Sequence, residues 1–295
     1  MDGKKFGEGL RAEDFEAHRS HLRAVAYRML GSLAEAEDAV QETWLRAAAA
    51  DPSDVANLGG WLTTITTRTC LNALRSRATR REDPLEPPAG TARPDGRPGP
   101  EQEVEAADAV GIALLVVLDT LTPDERLAFV LHDLFALPFD EIAAILERSP
   151  ASARQLASRA RRRVRGTTPA APDTSRQRKA VDAFLAATRT GDFEALVALL
   201  HPDVVLTADP AVTPTPEPVV VLGAHTVARG AMAAAGRARF TGPALLDGVV
   251  GLAMAPHGRL RLVLAFTVEP ESGLITAVDV IAEPERLAAL ELAVA

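Results

Sequence analysis

Residues 140–165 read DEIAAILERSPASARQLASRARRRVR, and they set the architecture of the segment around them. In FDEIAAILE, Ile142, Ile145 and Leu146 recur at helical spacing. The tripeptide RSP follows, with Ser149 suited to cap a helix and Pro150 suited to its first position. The second helix, from about 150 to 165, carries Ala153, Leu156, Ala157, Ala160 and Val164 on one face. Arg154, Ser158, Arg161 and Arg165 lie on another, flanked by Gln155, Arg159 and Arg162. Two short helices joined by a tight turn, the second with small residues inward and arginine outward, describe a helix-turn-helix.

From Arg148 to Arg165 there are seven arginines and no acidic residue, in a chain of 295 residues with net charge −8. Charge by segment does not explain this: residues 1–178 hold 24 basic and 27 acidic side chains, residues 179–295 hold 8 and 13. Phosphate responds to the local field, not to the total. In the major groove, Arg can bond guanine and Gln adenine, while arginines further along the helix neutralise phosphates. The alternative is a solvated cationic helix end favoured by the macrodipole.

Working outward, residues 82–100 contain six prolines and three glycines without apolar period and read as an extended tether. Residues 166–175, GTTPAAPDTS, have the same character. Domains are therefore placed at 10–81, 101–165 and 176–295. The first two read as helical. Ser32 with Glu35, and Thr122 with Pro123 and Glu125, form the Ser/Thr-x-x-Glu signature of a capping box. The longest apolar run, Ala109–Leu118, is too short to span a bilayer and reads as a buried helix. The third domain changes period. Helical patterns at 176–190 and 192–200 precede β-rich runs DVVLTA, PVVVLG, LLDGVVGLAM, RLRLVLAFTVEP and GLITAVDVIAE, which predict an α+β domain with a curved antiparallel sheet.

A second arginine-bearing helix is predicted in GGWLTTITTRTCLNALRSRATRR, residues 59–81, with five arginines and no acid. Leu62, Ile65 and Thr69 are placed inward; Thr64, Arg68, Asn72 and Arg75 form a polar stripe with Trp61 at its start. Such a surface suits single-stranded DNA through stacking and phosphate contact, although Trp61 could equally be a core anchor. The preceding helix, AEDAVQETWLRA, presents Asp38, Gln41, Glu42 and Leu45 along one face and Ala36, Val40, Trp44 and Ala47 along the core face. An acidic stripe ending in an exposed leucine suits a basic protein helix; a merely solvated face is the alternative.

These segments, together with LTPDERLAFVLHDLFALPFDEIAAILERSPASARQLASRARRRVR, resemble regions 2 and 4 of extracytoplasmic-function (ECF) sigma factors over about 20–165. The resemblance implies two all-α sigma domains. It implies that Asp38, Gln41, Glu42, Trp44 and Leu45 bind the β′ clamp helices of core RNA polymerase, with Trp44 supporting from the core, and that region 4 meets the β flap. It assigns the promoter −10 element, with a flipped base, to Asn57, Trp61, Thr64, Arg68, Asn72 and Arg75. It assigns the −35 element to Ser152, Arg154, Gln155, Ser158, Arg159, Arg161 and Arg162. Leu156 stands where many relatives carry a basic residue. RQRKAVDAFLAATRTGDFEALVALLHPDVVLTAD resembles the start of cone-shaped SnoaL-like domains, over about 176–290. Fused to a sigma factor, such a domain is implied to modulate activity by docking onto regions 2 or 4. AEPERL resembles a segment of the subgroup, whereas ADPAVTPTPEPVVVLG replaces its glycine-rich segment.

Cys70 is the one cysteine of the chain, so neither an intrachain disulfide nor a cysteine metal cluster can form. MDGKKFGEGLRAEDFEAH lacks the apolar core of a secretory signal, and a cytoplasmic protein without cofactor, metal or enzymatic activity is expected. Two other readings stay open: a helix-turn-helix regulator independent of polymerase, and an isomerase- or hydrolase-type enzyme drawing on Asp203, Asp209, His225, Asp247, His257 or Asp279.

Overall fold

A computed structural model of the chain describes residues 10–50, 55–82, 111–166, 174–212, 215 and 217–295. Residues 83–100 of the first proposed tether and 167–173 of the second lie outside the described residues. The chain divides into two compact units, one holding 1–103 and 121–161, the other 104–120 and 162–295.

The first unit begins with α1 (Ala12–Leu30), α2 (Leu33–Ala48) and α3 (Leu58–Glu82). Gly31 ends α1 at φ 80°, a conformation open to glycine, and its N–H donates to the Tyr27 carbonyl at 2.7 Å. Ser32 then caps α2 by accepting from the Glu35 N–H at 3.5 Å. The Glu35 carboxylate pairs with Arg77 of α3. The buried face of α3 is Leu62, as expected, with Thr66, Cys70 and Leu74 and with Thr63, Thr67 and Leu71, in place of the expected Ile65 and Thr69. Ile65 and Thr69 are half-buried. Thr63 and Thr66 are satisfied inside because each hydroxyl returns to the carbonyl four residues back, Thr63 to Gly59 at 2.7 Å and Thr66 to Leu62 at 2.9 Å, whereas the buried Thr67 hydroxyl has no hydrogen-bond partner among the described residues. Thr66 also meets Thr43 of α2 at 3.0 Å.

Four helical elements follow Leu121 up to Arg165. α5 (Pro123–Phe129) opens with the capping box complete: the Glu125 N–H donates to Thr122 Oγ1 at 3.3 Å, and the Thr122 N–H donates to the Glu125 carboxylate at 3.2 Å. A π-helical turn, Val130–Leu134, leads to α6 (Phe139–Leu146). Glu147 ends α6 in the left-handed region at φ 56°, and Ser149 caps α7 (Pro150–Arg165) by accepting from the Ser152 N–H at 3.2 Å. Arg126 is buried and donates through Nε and Nη2 to the Arg28 carbonyl of α1 at 3.2 and 3.1 Å. Phe135 receives the edge of His21 at 5.3 Å and lies beneath the Arg28 guanidinium at 5.3 Å. The helix-turn-helix is thereby held against the three-helix bundle.

In the second unit α4 (Ile112–Thr120) packs on the C-terminal sheet, against β3 (Thr241–Leu246), β4 (Val249–Met254) and β7 (Leu292–Val294). Ile112, Leu115, Val116, Val117 and Leu118 are buried there. Gly242 permits the approach, because a Cβ at that position would stand 3.0 Å from Ile112. α8 (Thr174–Thr190) and α9 (Phe193–Leu199) cover the sheet, which also contains β1 (Leu200–Ala208), β2 (Val219–Leu222), β5 (Leu262–Val268) and β6 (Ile275–Ile281). Its order is β2-β1-β6-β5-β4-β3-β7. The sheet is mixed, not purely antiparallel, because β1 runs parallel to β6. The intervening chain includes α10 (Ala224–Ala233) and α11 (Ala235–Ala238), enough to carry a crossover. LLDGVVGLAM is two strands, not one: Asp247 and Gly248 have φ 49° and 82° and close a two-residue hairpin between Leu246 and Val249. α12 (Pro284–Ala289) precedes β7.

Candidate nucleic-acid and polymerase interface

The small-residue face of α7 is inside: Ala153, Leu156, Ala157 and Ala160 are buried. Leu156 is therefore a core residue of this helix. Arg154, Gln155, Ser158, Arg159 and Arg162 are exposed on the other side, and Ser152 is half-buried at the N-terminal turn. The Arg154 guanidinium stands 5.6 Å above the Phe139 ring, which fixes it by a cation–π contact without neutralising it. Arg159 lies 3.9 Å from Glu125 and remains half-exposed. Arg161 differs: it is bound to Asp133 at 2.6 Å, so it holds α7 to the π-helical turn.

On α3, Arg68 and Asn72 are exposed, and Trp61 and Thr64 are half-buried. Asn57 caps the helix: its side-chain oxygen accepts from the Gly60 N–H at 3.0 Å, and its carbonyl from the Trp61 N–H at 3.0 Å. Gly60 has no side chain to oppose this, since a Cβ there would meet Asn57 at 2.8 Å. Arg75 reaches across to α5 and bonds Asp124 at 2.9 Å. Asp124 accepts a second arginine, Arg148, through Nη2 at 2.9 Å and Nε at 3.2 Å. Glu125 is legible in the sequence as the capping-box acid, whereas the links made by Asp124 and the approach of Arg159 to Glu125 are not. Their one signal was the acidic first turn of a capped helix, which says nothing about distant partners.

On α2, Asp38 and Gln41 are exposed and Leu45 is 57% exposed, a large apolar side chain without cover. Glu42 is bonded to Arg46 at 2.8 Å, one turn on. Trp44 is half-buried and meets Phe15 edge-on at 5.1 Å. The stripe of Asp38, Gln41, Glu42 and Leu45 is thus presented on one side, with Ala36, Val40 and Ala47 buried beneath it.

The sigma-70 region 2 family matches residues 15–80, and the sigma-70 region 4 family matches 112–164. The chain is 38% identical over 217 residues to the probable ECF RNA polymerase sigma factor SigI of Mycobacterium tuberculosis, covering 72% of this chain and 73% of that protein. The chain belongs to the ECF RNA polymerase sigma factors.

ECF sigma factor SigJ of the same organism is 45% identical over 210 residues, a match of 68% of this chain and 65% of SigJ, just under two thirds of that relative's length. A crystal structure of SigJ aligns over 94% of this chain and 98% of that one at 35% identity, with a TM-score of 0.45. Within this ECF sigma factor, two of the C-terminal carboxylates, Asp209 and Asp279, meet at Arg286. Asp209 is buried and accepts from the N–H groups of Ala282 and Glu283 at 2.9 and 3.0 Å and from Arg286. Burial alone would raise its pKa, but the two amides and the guanidinium hold it below the usual carboxylate value. Arg286 also bonds Asp279 at 2.7 Å. Asp247 accepts from the Glu291 N–H at 2.8 Å in the hairpin turn, and the N–H of Asp203 donates to His201 at 3.1 Å. His257 sits at φ 55° in the turn after β4, and His225 is exposed on α10. Among the described residues, no group of three or more His, Cys, Asp or Glu could hold a metal ion, and no helix is long and apolar enough to cross a membrane.

Proposed function

We propose that this ECF sigma factor directs core RNA polymerase to promoters, reading duplex DNA through α7 and melted DNA through α3 while α2 seats it on the β′ clamp helices. The observation that carries the reading is the two-sided α7: Arg154, Gln155, Ser158 and Arg159 exposed on a helix whose other face is anchored by alanines and Leu156. The N-terminal half of such a helix presents its side chains to base edges, and Arg162 and Arg165 follow along the phosphates. Region 4 would also meet the β flap. On α3, Arg68 and Asn72 are ready for phosphate and base, and Trp61 supplies a ring for a flipped base at the −10 element, offsetting part of the stacking lost on melting.

The functional domains are proposed as 10–81, 101–165 and 176–295, with the SnoaL-like domain modulating activity. α4, at the head of the region 4 match, is buried on β3, β4 and β7, which supports a tie between region 4 and the C-terminal domain. Removing everything after Arg165 strips that cover from five apolar side chains, at about 1.5 kcal/mol or more each. Truncation is therefore expected to change promoter-directed run-off transcription. Equal transcript yield from truncated and full-length protein would rule the tie out as a regulatory device.

The central test is co-purification with core polymerase. Asp38→Lys with Glu42→Lys reverses the ridge and places a lysine beside Arg46, and loss of the complex is expected. If neither wild type nor variant joins core enzyme, the polymerase reading fails and a free-standing helix-turn-helix regulator takes its place.

A further inference from the structure

The C-terminal unit contains a cavity of about 600 Å³ between α8, α10 and the sheet. Its volume is in the range of sites that enclose a small molecule. Phe184 and Leu185 of α8, Leu206 of β1, Val221 of β2, Leu252 of β4 and Leu264 of β5 form its wall. Among the described residues, the wall contains no aspartate, glutamate, histidine, serine or cysteine, and none of the six residues considered for catalysis lies in it. Two of its threonines are satisfied within the protein. Thr188 donates to the Phe184 carbonyl at 2.8 Å, and Thr241 to the Arg237 carbonyl at 3.2 Å. A polar ligand deep in this space would lose its water contacts and gain few bonds in return. The chamber therefore selects apolar matter and has no acid–base group to transform it.

The rim has a different character. Arg229 on α10 and Arg237 on α11 belong to the wall, and both are exposed. No ion pair joins either to a described acidic residue. Two cations beside an apolar hollow without a carboxylate complement a ligand with a greasy body and an anionic end.

We propose that the cavity binds a single-chain anionic amphiphile, a long-chain carboxylate, with its hydrocarbon among Phe184, Leu206, Leu252 and Leu264 and its carboxylate at Arg229 and Arg237. It is a binding site, not a reaction site. This inference does not depend on the transcription reading, and its test uses no polymerase or DNA.

The experiment is calorimetric titration of the full-length chain with saturated fatty acids from decanoate to palmitate, below their micelle concentrations, and with the matching primary alcohols. Burying each added methylene is expected to tighten binding about fourfold until the chamber is filled. Acids are expected to bind more tightly than alcohols, and Arg229→Gln with Arg237→Gln is expected to abolish that preference while alcohol binding persists. Both substitutions are at exposed positions and remove no side-chain hydrogen bond or ion pair to a described residue. Leu264→Trp is expected to remove binding of acids and alcohols alike. Affinity independent of chain length, an acid preference that survives the double arginine variant, or binding to phosphatidylglycerol vesicles without binding to soluble acids would overturn the assignment. So would the absence of saturable heat with every chain length.

Discussion

Asp124 joins Arg75 of α3 to the helix-turn-helix, and removing its charge should loosen the two. Its side chain is 16% exposed, while Arg75 and Arg148 are 49% and 50% exposed. Half-exposed pairs of this kind are each worth about 0.2–1 kcal/mol after solvent screening. The position of Asp124 in the first turn of α5 adds about 0.3–1 kcal/mol from the helix dipole. Asp124→Asn is therefore expected to cost about 1–2 kcal/mol in all, of which the link to α3 is about 0.5–1 kcal/mol. That link corresponds to a rise of about 2–5-fold in the population with α3 and α5 apart. Single-molecule energy transfer between dyes at Ala48→Cys and Ala151→Cys reads this separation directly. Arg75→Gln should give the same shift as Asp124→Asn, and the double variant little more. Added salt should reduce the difference from wild type. Identical distance distributions for wild type and Asp124→Asn at low salt, or strictly additive effects of the two substitutions, would refute the reasoning.

Three further outcomes follow from single positions. Asp209 has a lowered carboxylate pKa in the folded state, so its contribution to stability is full above the unfolded value of about 3.9 and is lost as pH falls through the lower folded value. Asp209→Asn should cost about 2–3 kcal/mol near neutrality, and the gap to wild type in urea unfolding should close in that acid window; a constant gap would contradict the assignment. Gly251→Ala should destabilise the C-terminal unit by about 2 kcal/mol, because the new Cβ would meet Leu246 at 2.5 Å and the Leu264 carbonyl at 2.6 Å. An unchanged melting temperature would show that the sheet can yield there. Cys70 is buried, which pushes its thiol up to about 12, so aromatic disulfide reagents should modify it at the rate of unfolding and not faster.

Elements with local causes were legible in the residues alone. Ser149 with Pro150, and Thr122 with Glu125, mark helix starts because a cap bonds an amide two or three residues away, and the structure has both bonds. The division of α7 into alanine and arginine faces follows from the 3.6-residue period alone. The Asp-Gly turn was also local, but its signal was passed over inside a continuous apolar run.

Tertiary structure decided what depends on partners far along the chain. Ile65 and Thr69 gave way to Thr66 and Cys70 on the inner face of α3, where Thr66 meets Thr43 of α2 at 3.0 Å, a partner 23 residues away that helical periodicity does not contain. The parallel pairing of β1 with β6 and the bed of α4 on β3 and β7 join segments that no local pattern connects. Arg75 bonds an aspartate 49 residues away, a partner that its own helix does not signal. An arginine's charge is written in the sequence, whereas the carboxylate that meets it is a product of packing.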